Sequence, residues 1–243
     1  MRAMRNSFSQ TLQLFSCLLL CAGAALAQSN SPLGRLSAFL PQTGQDNVWR
    51  YSNTGTGFDI ENIGDPQSIQ YFYVTPTPGT EGKRRIQAIL DIHPNSKGAA
   101  GLLYGLNANR DTYHLLTLDA RGTVTMFRRD GSGFRPMLEQ SSSAFIKGKV
   151  NTLAIQENGD QVEFSLNGKS LGSIGGDLLG FGSTGIAAVG DVRAFFTGFS
   201  DGAAGDRTDL TTPQGTQTAS APNDSLKVKP IQIIDSQGPG SPI

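Results

Sequence analysis

The chain has 243 residues, with 20 Lys and Arg side chains against 20 Asp and Glu side chains. That balance leaves no basic surface of the kind that binds nucleic acid or an anionic membrane, so we exclude both as partners. The 30 glycines favour many tight turns, which are typical of proteins built from short β-strands.

Residues 1–27 have the parts of a secretory signal peptide. Two arginines precede an apolar stretch over residues 12–26, which ends in the small-x-small pattern Ala25-Leu26-Ala27. We therefore predict cleavage before Gln28, a periplasmic or secreted protein, and no transmembrane segment after cleavage. A membrane anchor is the alternative, but the apolar run is short for a bilayer span of about 20 residues.

Both cysteines of the chain, Cys17 and Cys21, lie inside this segment. The mature protein would enter an oxidising compartment without a disulfide, so its stability must come from a packed core. Lipidation is an alternative at either cysteine. Ser16 is acceptable before Cys17, whereas Leu20 is bulky for the position before Cys21.

Residues 28–46 form a polar leader ahead of the main domain. Its apolar residues are Leu33, Leu36, Phe39 and Leu40. Their spacing predicts one short helical turn or a docking segment.

Residues 47–200 carry closely spaced strand signals, and their number suits one domain. Between Ile86 and Ile92, apolar residues alternate with mostly polar ones, which is the period of a strand with one buried face. The runs 68–74 and 101–106 are rich in aromatic, β-branched or other apolar residues. No stretch of this domain has a helical period.

The later strands are joined by short turns. Residues 114–118 precede residues 123–127, and residues 152–156 precede residues 161–166, each pair separated by a polar turn that contains glycine. Asn167-Gly168 follows, and Asn-Gly between strand-like runs is the strongest short hairpin signal. Consecutive antiparallel strands with short turns predict an all-β sandwich or barrel.

Residues 201–243 are rich in Gly, Ala, Ser, Thr, Pro and Gln. Such a composition buries too little apolar surface to order itself, which predicts a flexible tail of low complexity. Within the tail, residues 227–234 are open to two interpretations: an apolar run that stays solvated with the rest of the tail, or a short strand that adds to a sheet edge of this chain or of a protein partner.

The strand and turn pattern resembles that of a known superfamily. The matching segments are Gly101–Gly105, Tyr113–Leu118, Val150–Ile155, Gly185–Val189 and Phe195–Phe199. Together they resemble the concanavalin A-like lectin/glucanase superfamily over residues 47–200, with laminin-G-like and 3-keto-disaccharide hydrolase-like domains as the nearest branch. The resemblance implies a concanavalin A-like jelly-roll sandwich of two antiparallel sheets, a fold whose members bind carbohydrate and in some cases cleave it.

The sequence departs from the glucanases that this resemblance includes. Those enzymes carry alternating carboxylates on one strand, so that the acids share a face and flank the scissile bond. Asp59-Ile60-Glu61 supplies one alternating pair without a third acid. His93 and His114, the only histidines, form no metal-binding motif. We therefore predict no catalytic residue, no metal and no cofactor.

Candidate ligand-binding residues cluster around one loop and its flanking strands. Aromatic rings pack against the C–H faces of sugars, and charged side chains form directional hydrogen bonds with hydroxyl groups. The residues with these properties are Tyr104, Arg110, Asp111, Tyr113, His114 and Arg128. Since Leu115 and Leu116 fall on opposite sides of one strand, the pattern leaves open whether Tyr113 points to a ligand or into the core.

The sequence favours an exported, non-catalytic binding module that recognises carbohydrate or another cell-envelope ligand on one face of the sandwich. One alternative is a structural or assembly protein of the cell envelope, which uses the sandwich and the tail for protein contacts. A weaker alternative is a glycoside hydrolase that acts on a modified sugar. The missing carboxylates weigh against enzymatic activity without deciding it.

Overall fold

The computed structural model describes residues 31–107, 109–110 and 112–203. Most of these residues lie in β-strands. In chain order the strands are β1 (Gly44–Gln45), β2 (Trp49–Asn53), β3 (Phe58–Asn62), β4 (Ile69–Val74), β5 (Arg84–Ile92), β6 (Ala99–Asn107), β7 (Thr112–Asp119), β8 (Thr123–Asp130), β9 (Gly133–Ser141), β10 (Asn151–Asn158), β11 (Gln161–Leu166), β12 (Lys169–Gly175), β13 (Ser183–Val189) and β14 (Arg193–Ala203). The predicted all-β class is confirmed.

The strands form two antiparallel sheets that pack face to face. The eight-stranded sheet has the order β1-β2-β3-β14-β5-β10-β11-β12, and the six-stranded sheet has the order β4-β13-β6-β7-β8-β9. Strands from the two ends of the domain lie side by side in both sheets, as β3 with β14 and β4 with β13. This arrangement confirms the predicted jelly-roll sandwich.

The core lies between the sheets and follows the two-residue period of the strands. In β5, the alternate residues Ile86, Ala88 and Leu90 are fully buried, as the sequence pattern predicts. Val162 and Phe164 of β11 are buried in the same way. The six-stranded sheet contributes alternate residues of β6, β7 and β8 from the other side.

The predicted hairpins are present. β7 pairs with β8, β10 with β11, and β11 with β12. Asn167 and Gly168 join the last pair with φ values of 50° and 78°, the left-handed conformations that a two-residue hairpin turn requires. The Asn167 side-chain amide also donates hydrogen bonds to the Ala144 carbonyl and to Asn151 Oδ1, at 2.7 and 2.8 Å, which ties the turn to the preceding loop.

A buried ion pair of the eight-stranded sheet is hydrogen-bonded to a tyrosine of the six-stranded sheet. Arg84 of β5 donates to Glu157 of β10, over 2.6 Å from Nη2 and 3.0 Å from Nε. Tyr104 of β6, in the six-stranded sheet, donates its hydroxyl to the same carboxylate over 2.9 Å. Because the charges are paired and the carboxylate accepts several hydrogen bonds, this cluster can be accommodated within an apolar core.

The first described residues pack onto the sandwich. A 3₁₀ helix extends over Gly34–Phe39, within the leader segment for which the sequence predicts a helical turn. Phe39 is 62% exposed, whereas three leucines of the segment enter the core. These leucines are Leu33, Leu36 and Leu40. The packed core therefore includes residues from the leader.

A four-residue helix, α1 (Gly176–Leu179), precedes β13. It is absent from the sequence prediction because four residues are too few to show a helical period. Among the described residues, no helix has the length and apolar character needed to cross a bilayer. The predicted signal peptide (1–27) and the predicted tail strand (227–234) lie outside the described residues.

Candidate functional site

Two of the predicted ligand residues lie in the core. Tyr104 and His114 are opposite each other in the β6–β7 pairing, on the side of the sheet that faces the eight-stranded sheet. His114 is 4% exposed, and neither of its ring nitrogens has a hydrogen-bond partner within the described part of the chain. Neither side chain is accessible to a ligand in this arrangement.

The structure decides which face of the sheet Tyr113 occupies, a point that the sequence pattern leaves open. It lies on the outer face of the six-stranded sheet, which is the face turned away from the eight-stranded sheet. It is nevertheless only 5% exposed. The rings of Tyr71 and Phe134 pack against it, with centroid separations of 5.4 and 6.0 Å. Its ring therefore offers little surface to a ligand.

The other three predicted residues are dispersed. Arg128 is paired with His114 in the sheet register, so it lies on the opposite side of the sheet from Tyr113, with Nε 3.4 Å from Asp130 Oδ2. Arg110 is exposed in a turn. Asp111 lies outside the described residues. Because successive residues of a strand point to opposite faces, the structure does not bring the predicted cluster together on one surface.

An aromatic cover closes one end of the outer face. We use this name for Tyr71, Tyr73, Tyr113 and Phe134, whose rings form a continuous series of contacts. Tyr73 and Phe134 are partly exposed at the two ends of the series.

The aromatic cover crosses the sheet because small residues lie beneath it. Tyr71 of β4 and Tyr113 of β7 are three strand spacings apart, or about 14 Å between the strands. Gly185 and Ala187 of the intervening β13 leave room for the rings to lean towards each other. Leu103, on β6 beneath the rings, is fully buried although it belongs to the outer face. This end of the face is therefore closed.

A cleft of about 500 Å³ opens at the other end of the same face. Strands β6, β7, β8, β9 and β13 supply most of its lining, together with the loops that precede β4, β6, β8 and β14. The lining residues are Pro66, Lys97, Gly98, Ala99, Thr117, Asp119, Arg121, Thr123, Thr125, Phe127, Glu139, Val189, Gly190 and Asp191.

Threonines form the floor of the cleft. Thr117 of β7 and Thr125 of β8 are direct neighbours in the sheet, and the Thr117 hydroxyl donates to the Thr125 carbonyl over 3.3 Å. Since residues two apart in a strand share a face, β8 also presents Thr123 and Phe127 to the cleft. The half-buried Phe127 ring gives the cleft an apolar wall beside the hydroxyl groups.

An ion pair of Asp119 and Arg121 borders the cleft at the β7–β8 turn. Their closest atoms, Asp119 Oδ2 and Arg121 Nη2, are 2.7 Å apart. Asp119 also accepts hydrogen bonds from the backbone N–H groups of Thr123 and Arg121, at 2.8 and 2.9 Å. Partial desolvation raises the pKa of Asp119, but these hydrogen bonds and the guanidinium outweigh it, so the pKa is lowered overall. The carboxylate is therefore held in its ionised form.

Two further acidic residues and one lysine complete the charged rim. Lys97 Nζ lies 3.9 Å from Asp191 Oδ2. Glu139 of β9 is exposed and lies opposite Thr125 in the register. Within the part of the chain that the structure describes, Glu139 forms no ion pair. The rim thus combines three carboxylates with two cations.

The cleft offers hydroxyl groups, carboxylates, a guanidinium and an aromatic wall in one partly enclosed space. Hydroxyl and charged groups form directional hydrogen bonds, while an aromatic wall packs against C–H groups. A polyhydroxylated ring has both kinds of surface. Among the described residues, no group of three His, Cys, Asp or Glu side chains is placed to hold a metal ion.

The sequence contains a pattern that indicates this cleft, although the sequence analysis used the same segments only to predict hairpins. Counting in twos from Tyr113 reaches Thr117 and Asp119, and the same count along β8 gives Thr123 and Thr125. Polar residues therefore recur on one face of two paired strands whose other face is apolar. What sequence alone could not supply is that the face is open at this end and covered at the other.

Searches for related proteins found structural likeness only. No protein-family model matches the sequence, and no curated protein matches it. Among solved structures, the carbohydrate-binding module CBM66 from Bacillus subtilis aligns with a TM-score of 0.51 and 17% sequence identity, over 66% of this chain and 99% of that chain.

Two animal lectins are also similar to the sandwich. The galectin LEC-6 from Caenorhabditis elegans aligns with a TM-score of 0.38 and 17% identity, over 58% of this chain and 95% of its own. CG-16, a homodimeric agglutinin from chicken liver, aligns with a TM-score of 0.40 and 13% identity, over 56% of this chain and 100% of its own. At these identities the likeness concerns the fold alone, and membership of the concanavalin A-like superfamily stays a prediction.

Proposed function

We propose that this chain is an exported, non-catalytic carbohydrate-binding module, and that its ligand occupies the cleft on the outer face of the six-stranded sheet. The observation that carries the proposal is the juxtaposition of Thr123, Thr125 and Phe127 beneath a charged rim in one partly enclosed space of about 500 Å³. The fold-level likeness to a carbohydrate-binding module agrees with it. Export rests on the predicted signal peptide.

The cleft residues suit a sugar ring because each matches one part of it. A ring that lies on Phe127 places its apolar C–H face against the aromatic wall, as in other contacts between apolar and aromatic surfaces. Its hydroxyl groups then meet the threonine floor and the rim. Arg121 and Asp119 are already oriented by their mutual ion pair, so little side-chain freedom is lost on binding.

The state of Asp119 supports binding without catalysis. Glycosidases need a carboxylic acid whose pKa is raised, so that it can protonate the leaving group. The pKa of Asp119 is lowered instead, and its oxygens are engaged by backbone N–H groups and Arg121. This carboxylate is suited to holding a neighbouring turn and a ligand rather than to giving up a proton.

The test is binding of the purified protein to a glycan array, followed by titration calorimetry with the best ligand. We expect Arg121→Ala to weaken binding by about tenfold, since a hydrogen bond from a charged group contributes roughly 1.5 kcal/mol or more. Arg50→Ala is the matched control, because Arg50 is also an exposed arginine with a carboxylate partner but lies on the eight-stranded sheet. A protein that binds no glycan would disprove the function, and equal affinities of the two variants would disprove the site.

A further inference from the structure

We infer that Glu139 makes the cleft selective for sugars that carry a protonated amine and against sugars that carry a carboxylate. The inference rests on the proposed function and adds the chemical class of the ligand. It starts from the charges that surround the threonine floor.

Each cation of the rim is already matched by a carboxylate. Arg121 lies 2.7 Å from Asp119, and Lys97 lies 3.9 Å from Asp191. Opposite charges at such distances largely cancel each other's field beyond a few ångströms, even before salt screens them. Neither cation is therefore left over to attract an acidic ligand.

Of the three rim carboxylates, Glu139 is the one that has no cation partner among the described residues. Its position opposite Thr125 places it at the side of the floor, and directly opposite side chains in a sheet have Cβ atoms about 5 Å apart. A sugar ring that rests on Thr125 and Phe127 therefore lies beside the Glu139 carboxylate. Glu139 is exposed, so its side chain is free to turn towards that ring.

An ammonium group is the sugar substituent that this arrangement favours most. It donates charge-assisted hydrogen bonds to a carboxylate, which are shorter and stronger than those between neutral groups. A carboxylate on the sugar would instead meet a like charge. Because the cleft is open to water, the effect of one charge is modest, and we expect a three- to tenfold difference in affinity at low salt, as for exposed ion pairs.

The experiment compares oligosaccharides that share one ring and one linkage. The probes are a neutral cello-oligosaccharide, its counterpart with an amine at C2, and its counterpart with a carboxylate at C6. Affinities are measured calorimetrically in low-salt, mildly acidic buffer, where sugar amines are protonated. We expect the amine form to bind three- to tenfold more tightly than the neutral form, and the carboxylate form to bind more weakly than both.

Glu139→Gln should abolish the differences in affinity between the three probes, because the amide keeps the shape of the side chain without the charge. Glu163→Gln is the matched control, since Glu163 is a partly exposed residue of β11 in the other sheet and should leave all three affinities unchanged. Added salt should reduce the preference in the wild type.

Failure of this inference is distinguishable from failure of the proposed function. A glycan array without any signal rejects carbohydrate binding altogether. An array with signal, together with an amine form that binds no better than the neutral form, rejects the role of Glu139 alone. A preference that survives Glu139→Gln rejects it as well.

Discussion

His114 is a buried imidazole that the core holds in its neutral form. Burial, together with the positive charge of Arg128, lowers the pKa of His114 from 6.5 to about 4. Burial outweighs the favourable influence of the Tyr104 backbone and of Asp130 on the charged ring, so a proton on His114 would be costly within the core. His114, which the sequence analysis predicted to bind a ligand, therefore affects the stability of the fold instead.

The lowered pKa predicts a loss of stability in acid. Between pH 6.5 and about pH 4, the unfolded chain binds a proton at His114 and the folded protein does not, so the free energy of unfolding falls as the pH falls through this window. The full effect is about 3 kcal/mol, and it is absent above the window. Urea unfolding at a series of pH values should show that the free energy of unfolding lost across this window is about 3 kcal/mol smaller in His114→Leu than in the wild type. Equal slopes in the two proteins would contradict the prediction.

Asp119 and Glu139 show how two carboxylates in one cleft take different roles. Asp119 accepts hydrogen bonds from Thr123 and Arg121 and fixes the β7–β8 turn, so its removal would alter the turn as well as the site. Glu139 has no such partners in the described residues, so its charge can be changed without disturbing a turn. A substitution at Glu139 is therefore a cleaner test of binding than one at Asp119.

At the scale of single elements, an irregularity in β6 determines which side chains reach the outer face. The pairing of β6 with β7 shifts between Tyr104 and Asn107. Gly105 lies in this bulge with a φ of 65°. The shift turns Leu106 to the same outer face as Leu103, where both join the packing beneath the aromatic cover.

Gly105→Ala is expected to destabilise the protein by roughly 2 kcal/mol. An L-residue is strained at this φ, and a Cβ atom at Gly105 would lie 2.9 Å from the Leu179 carbonyl oxygen. Gly131→Ala is the control, because Gly131 has open space around it and no positive φ, and its effect should stay within about 0.5 kcal/mol. The prediction fails if the two variants unfold at the same urea concentration.

At the scale of the whole molecule, those parts of the fold could be predicted that depend on residues close together in the sequence. Alternation in β5 and β11 predicts the buried faces, and Asn167-Gly168 predicts a hairpin turn. The order of strands in the sheets was not predictable in this way, because β14 reaches its partners β3 and β5 through contacts distant in sequence.

The site was less predictable than the fold because it depends on which end of one face is covered. Tyr71 closes one end by reaching Tyr113 over two intervening strands, and nothing in the local sequence of either strand encodes that contact. Tyr104 looks like a ligand residue by type, yet its hydroxyl serves Glu157 in the core. Residue type alone therefore suggests candidate ligand residues, and only the tertiary structure shows which of them are accessible to a ligand.

The packed core includes residues that precede β1. Substitutions at two positions of one short 3₁₀ helix test this. Leu36 is fully buried in the core, whereas Phe39 of the same 3₁₀ helix is 62% exposed. Leu36→Ala should therefore lower the free energy of unfolding by about 3 kcal/mol, the usual effect of removing a buried leucine side chain. Phe39→Ala should change it by less than about 0.5 kcal/mol.

Trp49, the single tryptophan, is itself buried and provides a fluorescence signal for unfolding in urea. If residues 33–40 only rest on a core that is complete without them, Leu36→Ala would unfold at the wild-type urea concentration. If they belong to the core, the variant unfolds earlier and still in one transition, because the same cluster contains Leu36 and Trp49. We expect the second result.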